Sequence, residues 1–147
     1  MGWWSATIMG GDSPLDYLGV ICDRMGAPFD YDRGEGLHGY HFSRNDLEKN
    51  MDAIVKMIEK EKWEQSVYWQ VLGVMIMASG AKAGQTLKNR IIREAKSDPW
   101  MTEDGPKSER AHHINDFIKA MKSHRAGRVT RLTDEGLFQA LAKIEGR

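Results

Sequence analysis

Residues 63–79 read WEQSVYWQVLGVMIMAS, a stretch apolar on nearly all sides. A helix of that character has no solvent face, so it belongs at the centre of a bundle with the rest of the chain packed around it. Gly80 follows as a C-cap, since glycine enters the left-handed conformation without a Cβ penalty. Upstream, Ser43-Arg44-Asn45-Asp46 is close to a capping box, and Leu47, Met51, Ile54, Val55 and Ile58 set a buried stripe opposite Glu48, Lys49, Asp52, Lys56 and Glu59. Downstream, Leu87, Ile91 and Ala95 predict an amphipathic helix over 85–96, ended by Asp98-Pro99. Residues 98–107 read as a loop. Ser108 then opens a helix carrying Ala111, Ile114, Ile118 and Met121, closed near Gly127, and a strap over 126–133 leads to a last short helix capped by Thr133.

The amino-terminal block, GWWSATIMGGDSPLDYLG over 2–19, completes the pattern. An adjacent Trp3-Trp4 pair left in water would promote aggregation, so this arm packs onto the body. Trp3 to Met9 reads as extended, Gly10-Gly11 as a turn, Asp12 or Ser13 as a helix cap and Pro14 as the first helical residue. Leu15, Leu18, Cys22 and Met25 carry that helix to about Arg24. The fold expected is mainly α: a single domain spanning 1–147, of five to six helices with a short N-terminal strand or extended arm.

The block resembles the start of a bacterial family, domain of unknown function 4259. The residues that carry the resemblance are Gly2, Trp3 or Trp4, Asp12 and Leu15-Asp16-Tyr17-Leu18, under a fifth of the chain. Where that family places glycines between the Trp and the turn, this chain has Ser5-Ala6-Thr7-Ile8-Met9. The resemblance implies a fold and no activity.

With 41% hydrophobic and 29% charged residues, the composition is that of an ordinary globular protein. Cys22 stands alone and cannot form an intramolecular disulfide. No basic segment followed by an apolar core opens the chain, and the run Val71–Ala78 is too short to cross a bilayer, which needs about 20 residues. A cytoplasmic protein without a membrane partner is the expectation. Formal net charge is zero, but residues 1–64 hold 7 Lys/Arg against 12 Asp/Glu (−5) and residues 65–147 hold 14 against 9 (+5). The halves can attract each other, or the basic half can face an acidic partner.

Two surfaces stand out. The glycine- and aromatic-rich loop over 26–42 offers Phe29, Tyr31 and Tyr40 among acidic residues. A basic strip over 107–131 offers Lys119, Lys122, Arg125, Arg128 and Arg131, with Arg110 and Lys107, and with Lys88, Arg90, Arg93 and Lys96 to extend it. Phosphate recognition needs only a contiguous positive patch, although aromatic platforms for single strands are missing here.

Catalytic constellations are sparse. His38 and His41, near Asp30 and Asp32, have ligand chemistry for a divalent ion, against a plain reading as a solvated loop. His113 and Asp116 could pair at i, i+3, most simply as a surface pair. Gly80-Ala-Lys-Ala-Gly-Gln-Thr86 lacks the Lys-Ser/Thr ending and glycine spacing of a phosphate loop, so its small residues read as allowing close helix approach. Cys22 reads as a buried hydrophobe. No catalytic residue and no cofactor is implied. The reading is a non-enzymatic interaction protein, a small bacterial or phage inhibitor or regulator that binds a protein partner, with homo-oligomerisation open. The alternatives are a nucleic-acid-binding protein using the strip and a metal-dependent hydrolase.

Overall fold

The computed structural model describes Trp3 and residues 5–27, 42–130 and 132. Among the described residues six helices follow one another: α1 (Asp12–Arg24), α2 (Arg44–Glu59), α3 (Gln65–Ser79), α4 (Gln85–Lys96), α5 (Pro99–Asp104) and α6 (Glu109–Ser123). The mainly α expectation holds, and there is no strand among the described residues.

Helix α3 is the axis, with α1, α2 and α4 packed on it and α6 on α4. Trp69, Val71, Leu72, Val74, Met75, Ile76 and Met77 are all buried, as are its polar Ser66 and Gln70, so this helix has no solvent-facing polar stripe. Gly73 has a specific purpose: a Cβ there would lie 2.5 Å from Phe117 Cζ and 3.1 Å from Ile91 Cγ2, so its absence lets α4 and α6 close on α3. The capping box of α2 forms as read, with Ser43 Oγ accepting from Asp46 N and Asp46 Oδ2 accepting from Ser43 N. Gly80 ends α3 at φ 74°, as expected.

Four details differ from the sequence reading. First, residues 5–10 form a folded turn and not an extended arm: Ser5 N–H donates to Gly10 O and Gly10 N–H to Thr7 O. The one strand-like feature among the described residues is an isolated Trp3–Gly11 bridge. The turn wins because it buries Ile8 and Met9 almost completely. Second, Gly11 is the N-cap of α1, which puts Pro14 third in the helix; its missing N–H still costs nothing within the first turn. Ser13 Oγ is thereby free to donate to the Glu64 carboxylate at 3.0 Å. Third, the expected loop over 98–107 contains α5. Asp98 accepts from Met101 N–H at 2.9 Å and Pro99 takes the first helical position, so the dipeptide that stops α4 also starts α5. Fourth, α6 stops at Ser123, before Gly127. His124 leaves helical geometry and turns inward, its Nε2 bonded to Ala81 O at 2.7 Å.

The strap after α6 is tied down over the residues described. Gly127 N–H donates to Gly80 O at 2.7 Å and Thr130 N–H to Met77 O at 2.8 Å. The small residues after α3 thus admit this strap, with Gly127 C within 3.4 Å of where a Gly80 Cβ would sit, and not a second helix. The predicted helix after Thr133 lies outside the described residues, as does most of the loop over 26–42.

Candidate functional site

Helix α6 opens with an arginine in phase with its apolar residues, and Arg110 is 1% exposed. A buried guanidinium is tolerable only with its donors satisfied, and all five are. Nε–H and one Nη2–H reach the two oxygens of Asp98, at 3.3 and 2.8 Å. The second Nη2–H reaches Gln70 Oε1 at 3.1 Å, and Nη1 donates to Thr7 O at 2.8 Å and Ala6 O at 3.3 Å. Gln70 Nε2 donates to Asp98 Oδ2 at 2.8 Å and to Ser66 Oγ at 3.1 Å, and Ser66 Oγ donates to Glu94 O. Burial raises the affinity of Asp98 for a proton, but hydrogen bonds and charge from Arg110, with donors from Gln70 and Met101, outweigh it and hold the carboxyl below its ordinary value. One ion pair therefore joins the N-terminal turn, α3, α5 and α6.

Two indoles cover this pair. Trp3 and Trp100 meet edge to face at 5.2 Å, and the Arg110 guanidinium carbon lies 4.9 Å from the first ring and 5.1 Å from the second. Outside them opens a cleft of about 520 Å³, lined by these rings and by Glu64, Glu94, Glu103 and the Asp98–Arg110 pair. Four carboxylates and one guanidinium leave the lining formally three charges negative. Glu94 is engaged by Arg90 at 3.1 Å, whereas Glu103 is exposed.

The rim beside α3 is strained. Glu64, the N-cap of α3, sits at φ 58°, ψ 30°, the only non-glycine residue with positive φ among those described. Such a conformation costs on the order of 1–2 kcal/mol. Its carboxylate accepts from Ser13 Oγ and from Tyr68 OH at 3.3 Å. Burial, with Glu64 alongside, pushes the Tyr68 phenol up to about 12, and its ring stacks on Tyr17 at 3.8 Å. One residue earlier, Trp63 is 79% exposed, the largest hydrophobic side chain left in water among the described residues.

The basic strip is divided. Lys119, Lys122, Arg125 and Arg128 are exposed, Arg110 is buried at the floor of the cleft and so is not part of the exposed strip, and Arg131 lies outside the described residues. Lys122 lines a groove against α4, while Lys119 and Arg128 line a separate depression with Asp116. Lys88, expected to extend the strip, is buried and donates to Lys122 O and His124 O, neutralising the carbonyl end of α6. Arg90 lies over Trp69 and pairs with Glu59 and Glu94. Phe29, Tyr31, Tyr40, His38, His41, Asp30 and Asp32 lie outside the described residues.

The expected His113–Asp116 pair is replaced by His112 Nε2–Asp116 Oδ2 at 3.4 Å, because i, i+4 aligns on this exposed face while His113 turns into the body. Cys22 is fully buried, and burial, helped by nearby Asp23, pushes its thiol up to about 12, as suits a packing residue. Among the described residues no group of three or more His, Cys, Asp or Glu side chains could hold a metal ion, and no helix is long and apolar enough to cross a membrane.

The cleft itself was only partly legible. Arg110 repeats with Ile114, Phe117 and Met121 on the apolar phase of α6, and Asp98-Pro99 has the form of a helix start; together they were the available signal. No family model, curated protein or solved structure matches this chain.

Proposed function

We propose that this chain is a non-enzymatic interaction protein that binds a protein partner by receiving a basic segment of it at the Trp3–Trp100 cleft. The observation that carries the reading is the cleft: two half-buried indoles over a rigid, fully bonded floor, with carboxylates at the rim. Its volume falls in the range of ligand-sized clefts, about 300–1,000 Å³. Indoles dominate interface energetics, while exposed carboxylates contribute little affinity and mainly select the sign of the partner. Trp63, exposed and next in sequence to the rim residue Glu64, supplies a further anchor. The strained Glu64 supports the same view, since unfavourable backbone conformations concentrate where binding needs them. An inhibitor or regulator acting by occupancy needs nothing more.

The test is a fluorescence titration of the indoles with lysine- and arginine-rich peptides, against acidic peptides of equal length. Saturable binding of the basic peptides alone is expected, weakened at least tenfold by Trp63→Ser and several-fold by Glu103→Gln. Both substitutions change exposed side chains, so the thermal midpoint should not move. Equal response to acidic peptides, or variants that bind like the parent, would refute the reading.

A further inference from the structure

Helix α4 has a second groove on its other side, opposite in charge to the cleft. Gln85, Asn89, Ile92, Arg93 and Lys96 of α4 and Lys122 of α6 enclose about 490 Å³. Arg93, Lys96 and Lys122 are exposed, and no ion pair engages any of the three among the described residues. No carboxylate lines the groove, leaving it formally three charges positive. The nearest acidic residue on α4, Glu94, faces the indole cleft and is held by Arg90. Gln85 Nε2 donates to Asn89 Oδ1 at 2.8 Å, which leaves the Asn89 amide NH2 as a neutral donor beside the cations.

We propose that this groove binds the phosphate backbone of double-stranded nucleic acid, without reading its sequence. Chemistry and length both point there. Eleven helical rises from Gln85 to Lys96 span roughly 16 Å. A duplex presents a phosphate about every 3.4 Å along each strand, so several phosphates fit one groove, whereas a lone anion would meet only part of it. Cations and amide donors are the groups that contact phosphates. The lining contains no aromatic ring, so there is no stacking platform to favour a single strand. The cations come from two helices that are far apart in sequence, and they do not coincide with the 107–131 strip: of its exposed members only Lys122 takes part. The groove is independent of the cleft proposed for the protein partner.

The experiment is fluorescence anisotropy with a labelled mixed-sequence duplex of about 20 base pairs, over a range of salt concentrations, on the full chain. Binding should weaken with salt, with a log–log slope of about −2 to −3 for three phosphate contacts. The double variant Arg93→Gln/Lys96→Gln should weaken binding at least tenfold at low salt and make the slope shallower by about 2. Trp63→Ser, which tests the surface proposed for the protein partner, should leave duplex binding unchanged. The proposal is overturned by absence of binding at low salt, by a slope unchanged in the double variant, by preference for a single strand, or by a polyglutamate chain displacing the duplex at equal charge concentration. The exposed position of both side chains keeps the variant folded, which its thermal midpoint verifies.

Discussion

Replacing Arg110 with methionine keeps much of the side chain's bulk and removes its charge and all five donors. The loss can be worked from the contacts. Asp98, 1% exposed, keeps only Gln70 Nε2 and Met101 N–H as donors, and the carbonyls of Ala6 and Thr7 lose their guanidinium partner. Removing one member of a buried ion pair costs about 3–5 kcal/mol, because the other charge stays buried without compensation. For a chain of this length that lowers the midpoint of thermal unfolding by about 10–15 °C. The pH dependence gives a second and sharper readout. In the parent the Asp98 carboxyl is held below its ordinary value, so its contribution is complete above the unfolded pKa of about 3.9 and is lost as pH falls through the folded one. Without Arg110, burial dominates and the carboxyl titrates above the unfolded value. Its penalty is then present at neutral pH and fades as pH falls towards about 4. The stability gap between parent and variant should therefore narrow on acidification. Urea unfolding at pH 7 and pH 4 measures it. A gap under about 1 kcal/mol at pH 7, or one that does not shrink at pH 4, would refute the role given to the pair.

Two further outcomes test the packing. Gly73→Ala should destabilise by up to about 2 kcal/mol in urea unfolding: the helix-propensity gain is only about 1 kcal/mol, against an overpacking cost of about 1–3 where the new methyl meets Phe117 and Ile91. A stabilised variant would show that α6 can move away from α3 cheaply. Cys22 should resist a thiol reagent at pH 8 in the native protein and react fully in denaturant, since it is buried and its thiol is pushed up to about 12. Rapid native labelling would mean that α1 opens readily.

What the sequence determined by itself is local. The serines that start α2 and α6, the left-handed Gly80 that ends α3 and the largely apolar character of α3 all act through groups within a turn of one another, so their meaning survives without the rest of the chain. The strip of cations was not legible in the same way. Spacing says that Lys88 and Arg110 share a phase with Ile91 and Ile114, but a charged side chain on an apolar phase is read by default as solvated. Only the fold supplies what makes burial tolerable. For Arg110 these are Asp98, Gln70 and the carbonyls of Ala6 and Thr7, 12 to 104 residues away in sequence. For Lys88 they are the last carbonyls of α6. Tertiary structure likewise decided the cleft, because Trp3, Glu64, Glu94 and Trp100 belong to four separate segments. Charge pairing and pocket formation depend on distances through space, and one-dimensional spacing carries those only within a single helix.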